Sequence, residues 1–288
     1  VYIWKKQYDL AINDFEQVSK CGYGLWEGKY IDFFKYENEK DKEMIFPLQY
    51  DEDSGYCDNI QLMVGARDHY DCWTELLPSA DFVDYYRNAD GSEFKWSDYL
   101  TGWNNLTPAQ REVFFLRDNL ISNKTAYNNA KSRIGTAVMD KYYLNSGNEA
   151  RIKKAYSSRD PRLQQTIITP YSSTNCYSPY WNNGEPMQNK VLRWPYLNRG
   201  GNNGDMWHNQ RNAGYYIYKK YNETEKGRYI ERLRCHCDFP LIRFTDVWLL
   251  YAEALNERDR LDEAITAVNK IRQRAGMGDL EKGGTGYN

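Results

Sequence analysis

The stretch LDEAITAVNKI at residues 261–271 places apolar side chains three and four positions apart, with the small residue Ala264 near its centre. The stretch YDLAINDFEQV at residues 8–18 repeats this spacing, with Ala11 in the matching position. Such spacing puts the apolar residues on one stripe of an α-helix. The two copies therefore predict two similar amphipathic helices, each able to approach a partner helix closely at its alanine.

The second copy has a predicted partner directly before it. Apolar residues recur at helical spacing at Phe244, Val247, Trp248, Tyr251 and Leu255. A short polar turn at residues 258–260 separates the two helices, and Gly276 follows the second one, where glycine commonly ends a helix. A helix–turn–helix of this kind is typical of a tetratricopeptide repeat, although an ordinary antiparallel helix pair has the same pattern.

The first copy is preceded by only seven residues, so we expect the sequence to start inside a repeat array. Its stripe of Tyr8, Phe15 and Val18 is then expected to lack a covering helix. Trp4, like Trp248 and Tyr251, is predicted to pack in the core of the helices.

Composition excludes several classes of protein. The chain has 288 residues, a net charge of −2 and a mean hydropathy of −0.86. The balanced charge argues against a nucleic-acid partner, and no apolar run has the length of a membrane span. An aromatic content of 16% argues against disorder.

The middle of the chain lacks long helical periodicity. A short strand is predicted within residues 43–50, and helices are predicted to start at Ser79 and at Thr107–Pro108. Residues 171–221 hold eleven aromatic residues and nine asparagines. This composition predicts an irregular surface region, where binding residues usually occur.

Aromatic rings stack on the apolar faces of sugars, while amide, carboxylate and guanidinium groups bind their hydroxyls. The alternative is that each ring packs in the core. The sequence predicts that ligand-binding residues come from Tyr180, Trp181, Asn182, Asn183, Trp194, Arg199, Asp205 and Trp207.

Metal and catalytic motifs are weak. The cysteines of Cys235-His236-Cys237 are too close for a usual zinc site, and no second ligand pair completes one. Asp51, Asp53 and Asp58 depart from an EF-hand loop and favour a solvated acidic turn. The three histidines lie in no recognisable nucleophile motif. We therefore expect no metal, no cofactor and no catalysis.

Residues 239–257, FPLIRFTDVWLLYAEALNE, resemble the most characteristic segment of SusD/RagB-type proteins. Residues 264–276 continue the match. Three further elements agree in order: residues 21–30, a "PS…DG" element at 77–79 and 90–91, and a "DPRL…TI" element at 159–163 and 166–167.

The resemblance implies a non-catalytic lipoprotein of the Bacteroidetes outer membrane, exposed at the cell surface. Its tetratricopeptide-like helices would contact a SusC-like TonB-dependent transporter, and an irregular lobe would capture an oligo- or polysaccharide. Capture of peptide, or a helical scaffold that binds only protein, are the alternatives.

The expected fold is mainly α: one SusD-like domain over residues 1–288, with repeat helices at 1–30 and 239–276 and a binding lobe at 31–238. Relative to the family pattern, the lipidated cysteine and the final "ERR…E" helix are missing, so we expect a domain truncated at both ends.

Overall fold

The computed structural model describes residues 1–51, 53–209, 215–226 and 234–285. The fold is mainly helical, as expected. The α-helices of this part of the chain are α1 Tyr8–Lys20, α2 Ile60–Val64, α3 Ala80–Asp84, α4 Glu112–Phe115, α5 Lys124–Ile134, α6 Thr136–Tyr142, α7 Asn148–Ser157, α8 Pro161–Thr166, α9 Phe244–Asn256 and α10 Leu261–Arg274. The strands are β1 Met44–Leu48, β2 Ile167–Ile168, β3 Ser173–Cys176, β4 Met187–Val191, β5 Ile217–Tyr218 and β6 Phe239–Arg243.

The strands form three antiparallel pairs: β1 with β6, β2 with β5, and β3 with β4. In the third pair Ser173 lies opposite Val191, and Cys176 lies opposite Met187. The strand predicted within residues 43–50 is therefore confirmed as β1. No helix among the described residues is long and apolar enough to span a bilayer.

Helices α9 and α10 pack against each other, and α1 packs on α9. Their shared core contains Ala11, Ile12, Ala254, Leu255 and Ala264, so the alanines lie in the interface between the helices. The prediction of two similar amphipathic helices is confirmed by α1 and α10.

Two expectations about the first helix are wrong. Its apolar stripe is not left uncovered, because Tyr8 and Phe15 pack against the core shared with α9. Trp4 is not a core residue. It lies in the turn before α1 and is 91% exposed.

A buried carboxylate joins β1 to the helix pair. Glu43 is fully buried just before β1 and accepts hydrogen bonds from Arg274 of α10 (2.5 Å) and Thr245 of α9 (2.6 Å). It also accepts the backbone N–H of Trp26 at 2.6 Å. Because a buried carboxylate is stable only when paired, this cluster fixes the entry of the chain into α9.

The largest hydrophobic cluster is formed by side chains from between residues 83 and 216, and it includes buried residues of α4, α5, α6 and α7. The start of α3 is confirmed, since Ser79 Oγ accepts the Phe82 N–H at 3.0 Å. The helix predicted from Thr107 is wrong in its start, because α4 begins at Glu112. Instead, the Thr107 backbone N–H donates to the Gln110 side chain at 3.0 Å, which holds residues 107–110 as a turn.

The rings of the aromatic-rich region are mostly not exposed, unlike the surface region that its composition predicts. Tyr171, Tyr177 and Tyr216 are buried, and the Tyr171 hydroxyl donates to the Phe115 carbonyl oxygen. The Tyr216 and Tyr156 hydroxyls share a hydrogen bond of 2.8 Å inside the largest cluster. Many of these rings therefore hold the lobe together.

Candidate functional site

The hairpin of β3 and β4 presents a turn at residues 180–184. Tyr180 is 59% exposed at the start of this turn, and Asn182 and Asn183 are also exposed. Both asparagines have positive φ angles, of 52° and 57°, a conformation that asparagine adopts more readily than most residues. Asparagine therefore suits these positions for its tolerance of positive φ angles as well as for the hydrogen-bonding capacity of its amide.

The two amides of this turn differ in availability. Asn182 Nδ2 donates to the carbonyl oxygens of Glu185 (3.0 Å) and Pro186 (3.4 Å), so this group is used within the turn. The Asn183 side chain bonds to no described residue. Asn183 therefore presents a free amide beside the exposed ring of Tyr180.

A second turn, at residues 200–204, lies next to the first. A Cβ built on Gly201 would be 3.5 Å from Asn182 Oδ1. Gly204 lets the backbone at the end of this turn pass close to Arg199. Any larger residue would place its Cβ 1.8 Å from the Arg199 carbonyl oxygen. Asn202 and Asn203 are exposed on it, and Asn202 Oδ1 accepts the Gln188 N–H at 2.8 Å. We call residues 180–184 and 200–204 together the two-turn surface.

Two of the predicted tryptophans lie together, with the predicted arginine over both. The rings of Trp181 and Trp207 have centroids 5.1 Å apart and are tilted by 60°. Arg199 Cζ lies 4.2 Å from the Trp181 centroid and 4.3 Å from the Trp207 centroid. The guanidinium group therefore makes cation–π contacts with both indoles.

Arg199 is itself held by a buried carboxylate. Asp68 is fully buried, and its Oδ1 accepts Arg199 Nε at 2.9 Å. Its Oδ2 accepts the Trp207 backbone N–H at 2.9 Å and lies 3.1 Å from Nζ of Lys190, which is also fully buried. Lys190 Nζ donates in turn to the carbonyl oxygens of Arg199 (2.5 Å) and Gly200 (3.2 Å).

This buried cluster anchors the loop that carries the second turn. The Asp68 carboxylate and the Lys190 ammonium satisfy each other and also fix the backbone at residues 199, 200 and 207. Trp181 belongs to the first turn, but its indole ring, with Arg199 and Trp207, forms a support for the two-turn surface, because part of each indole face is already occupied by the guanidinium group.

A buried histidine lies beside Asp68. Burial lowers the pKa of His69 to about 4, so its ring is neutral at physiological pH. The Ala66 N–H donates to His69 Nδ1 at 3.1 Å, and Cys176 Sγ lies 3.1 Å from Nε2. Burial also raises the pKa of the Cys176 thiol. This pair is packed within the fold and reaches no exposed surface.

The structure places the other two predicted residues apart from the tryptophan pair. Trp194 packs against Tyr215 at a centroid distance of 5.2 Å, and its Nε1 donates to Glu112 at 2.9 Å. It belongs to the edge of the largest hydrophobic cluster. These are the contacts of a ring that packs in the fold, which is the alternative to ligand binding for each of these rings.

Asp205 is 2% exposed and forms ion pairs with Arg117 (2.6 Å) and Arg193 (3.2 Å). It also accepts the backbone N–H groups of Leu197 and Asn198 at 2.9 and 3.0 Å. Its carboxylate therefore organises the loop, and it borders an open polar cavity of about 550 Å³ that Asn198 and Asn203 also line.

A larger cavity was not predicted from the sequence. It has a volume of about 640 Å³ and is lined by Tyr36, Glu39, Lys40, Asp41, Met44, Pro47, Gln49, Tyr50, Asp51, Asp53, Tyr56, His236 and Asp238. The acidic stretch at residues 51–58, for which the sequence favours a solvated turn, contributes Asp51, Asp53 and Tyr56 to its wall. The residues that complete the cavity come from positions 36–50 and 236–238, too distant in sequence to be recognised together.

In the acidic stretch and in Cys235-His236-Cys237, potential metal ligands are engaged in hydrogen bonds within the protein. Asp51 accepts hydrogen bonds from the backbone N–H and hydroxyl of Ser54. Cys237 Sγ donates to the Phe34 carbonyl oxygen at 3.2 Å. Within the described ranges, no group of three or more His, Cys, Asp or Glu side chains is placed to hold a metal ion.

Comparison with known proteins agrees with the helical fold. The model of the SusD family matches residues 31–288. The chain belongs to the SusD family. No curated protein matches it.

Two solved structures are similar to this SusD-family chain. A SusD-like protein from Bacteroides fragilis has a TM-score of 0.58 and 20% identity, covering 98% of this chain and 46% of that one. A SusD-like carbohydrate-binding protein from the same species has a TM-score of 0.55 and 18% identity, covering 98% of this chain and 44% of that one. The chain thus spans less than half the length of either structure, and the likeness shows the fold alone.

Proposed function

We propose that this protein is a non-catalytic, cell-surface binding protein that captures glycan at the two-turn surface. Family membership supports carbohydrate binding in general terms. The observation that carries the specific proposal is the exposed ring of Tyr180 beside the free amide of Asn183, next to a second turn whose backbone is fixed by the buried pair of Asp68 and Lys190.

The physical argument is preorganisation. A sugar offers an apolar face to an aromatic ring and hydroxyl groups to nearby amides. The Tyr180 ring, Asn183 and the neighbouring Asn203 supply these groups at the surface. Because the buried pair of Asp68 and Lys190 holds the second turn, a bound sugar would pay little to order it.

The remaining parts of the proposal follow from the family. We propose that the tetratricopeptide-like helices face a SusC-like TonB-dependent transporter and that the protein is held at the outer membrane by a lipid anchor. Delivery to the transporter would then follow capture. Peptide in place of glycan is the alternative ligand, and binding to a panel of polysaccharides and peptides separates the two.

The test is affinity electrophoresis of the wild type and Tyr180→Ala on a panel of soluble polysaccharides. We expect Tyr180→Ala to weaken binding to the retained glycan by about ten-fold, as for the loss of one stacking contact. Tyr85→Ala is the matched control, since Tyr85 is 84% exposed after α3, outside the two-turn surface. Equal retention of both variants would contradict this site.

Hydrolysis is tested on the same glycans. We expect no release of reducing sugar by the purified wild type over the course of the binding experiment. Release that follows the protein through purification and is lost on substitution of a single Asp or Glu would contradict a purely binding role.

A further inference from the structure

A cavity of about 370 Å³ is lined by residues of α3, α8 and α10 and of the loops beside them. Its described lining holds three arginines, Arg87, Arg162 and Arg272, but one carboxylate, that of Asp160. Four aromatic residues complete most of the wall. The cavity shares no described residue with the two-turn surface, and its volume is typical of a site for a small organic ligand.

The chain segments around this cavity are joined to one another. The Asp160 N–H donates to the Arg87 carbonyl oxygen at 2.9 Å, which ties the loop after α3 to the start of α8. Arg162 Nη2 lies 3.9 Å from Met277 Sδ, which brings α8 into contact with the segment after α10. The three arginines are therefore carried on parts of the fold that contact one another directly.

Asp160 neutralises Arg162 and has little capacity left for another cation. It is 3% exposed, and its carboxylate forms an ion pair with Arg162 at 2.5 Å. The same carboxylate accepts the Arg162 backbone N–H at 2.9 Å, as the cap of α8. The charges of the other two arginines are therefore not balanced from within the described lining.

Arg87 and Arg272 are held by backbone carbonyl oxygens instead. Arg87 Nη1 donates to the Gly91 carbonyl oxygen at 3.1 Å, and Arg272 Nε donates to the Gly278 carbonyl oxygen at 2.8 Å. Neither arginine forms an ion pair with a carboxylate of the described residues. A carbonyl oxygen orients a guanidinium group without neutralising it, and most of the five N–H donors of each group remain for a ligand. Two oriented positive charges beside one cavity indicate an anionic ligand.

Phe82 and Tyr86 form a corner in the aromatic wall. Their ring centroids are 5.8 Å apart, and their planes are inclined by 80°. Phe82 is 44% exposed, and its N–H donates to Ser79 Oγ at 3.0 Å at the start of α3. The Tyr86 hydroxyl shares a hydrogen bond of 2.9 Å with Thr166 Oγ1. The corner is thus fixed on both sides, and the exposed ring of Phe82 can stack on the C–H face of a sugar.

We propose that this cavity binds an acidic oligosaccharide whose uronic acid carboxylates accept hydrogen bonds from Arg87 and Arg272. The planar fork of a guanidinium group matches a carboxylate, and the Phe82 ring matches the apolar face of the sugar that carries it. The choice of a sugar rests on the proposed carbohydrate-binding role, whereas the negative charge of the ligand follows from the arginines alone. Tyr85 also lines the cavity, but it is 84% exposed and forms little of the wall, so it is not assigned a contact.

The test is titration calorimetry at about pH 7, where uronic acids are ionised and guanidinium groups are protonated. The probes are trigalacturonate and its fully methyl-esterified form, which share a backbone and differ in charge. We expect trigalacturonate to bind at least about ten-fold more tightly, the contribution of one charge-assisted hydrogen bond. Equal affinity for the two trimers, tighter binding of a tetraglutamate peptide, or equally tight binding of inorganic phosphate would overturn the proposal.

The variants Arg87→Gln and Arg272→Gln keep an N–H donor for the carbonyl oxygens of Gly91 and Gly278 and remove the charge. Each is expected to weaken binding of trigalacturonate by about ten-fold and to change binding of the ester much less. Arg258→Gln is the control and should bind as the wild type does, since Arg258 is an exposed arginine paired with Asp9 outside the cavity. Arg87 is exposed, so Arg87→Gln remains informative if Arg272→Gln does not fold.

Unchanged binding of trigalacturonate by Arg87→Gln would overturn the proposal. Tyr180→Ala separates this cavity from the proposed glycan surface. It should leave binding of trigalacturonate unchanged whether or not it weakens binding of a polysaccharide, so the two proposals can fail independently. Loss of trigalacturonate binding in Tyr180→Ala would overturn the separate site.

Discussion

Substitution of Asp68 tests whether the two-turn surface depends on the buried ion cluster. Asp68 accepts from Arg199 Nε and the Trp207 N–H, both at 2.9 Å, and lies 3.1 Å from Lys190 Nζ. Asp68→Asn removes the negative charge and replaces one accepting oxygen with an NH₂ group, which cannot accept from Arg199 or from the Trp207 N–H. Because Lys190 is fully buried, its ammonium group would lose its only carboxylate among the described residues. We expect a loss of about 3–5 kcal/mol in the free energy of unfolding, out of a total of about 5–15 kcal/mol.

Lys190→Met removes the other partner of the buried pair, so its effect can be compared with that of Asp68→Asn. It leaves Asp68 paired with Arg199 at 2.8 Å and leaves the carbonyl oxygens of Arg199 and Gly200 without their donor. We expect this variant to lose about 1–3 kcal/mol, less than Asp68→Asn. The measurement is urea unfolding followed by tryptophan fluorescence, since Trp181 and Trp207 lie at the cluster.

The control is Asp9→Asn, which breaks the exposed ion pair between Asp9 and Arg258. That change should cost no more than about 1 kcal/mol. The reasoning is refuted if Asp68→Asn costs as little as Asp9→Asn, or if Lys190→Met is the more destabilising of the two cluster variants. Either result would mean that the loop is held by contacts other than this charge pair.

Two other changes test the packing of the protein. Burial holds the pKa of His69 at about 4, below the ordinary value of 6.5, so the unfolded chain takes up this proton first as the pH falls. The free energy of unfolding should therefore fall by about 3 kcal/mol between about pH 6.5 and pH 4 in the wild type relative to His69→Gln; parallel pH profiles would argue against it. Trp248→Ala removes a half-buried ring that packs on Phe244 and Tyr251 and donates from Nε1 to the Ala267 carbonyl oxygen, so we expect a loss near the lower end of about 3–5 kcal/mol and a lower melting temperature. An unchanged melting temperature would show that the ring contributes little.

The repeat helices could be predicted because their signal is local. The spacing of Ala264 and its apolar neighbours depends only on the 3.6-residue period, and α10 is 14 residues long. The packing of α9 over the apolar stripe of α1 could not be predicted, because α9 lies more than 220 residues further along the chain. Trp4 was misjudged for a related reason: its spacing fitted a helix stripe, but the helix begins only at Tyr8.

The candidate site was harder to predict because the same residue types build cores and bind sugars. Whether Trp194 packs or binds depends on Glu112, 82 residues earlier in the chain. Whether Arg199 is free depends on Asp68, 131 residues earlier. The sequence grouped residues 180–207 by composition, and the fold divided them between the two-turn surface, its support and the largest hydrophobic cluster.

Charge pairing separates the two roles better than residue type does. An arginine between two indoles has the same chemistry as an arginine on a bound sugar, but Arg199 already has Asp68 as its partner and is therefore structural. The same criterion applied to carboxylates assigns Asp205 to the fold, since Arg117 and Arg193 neutralise it.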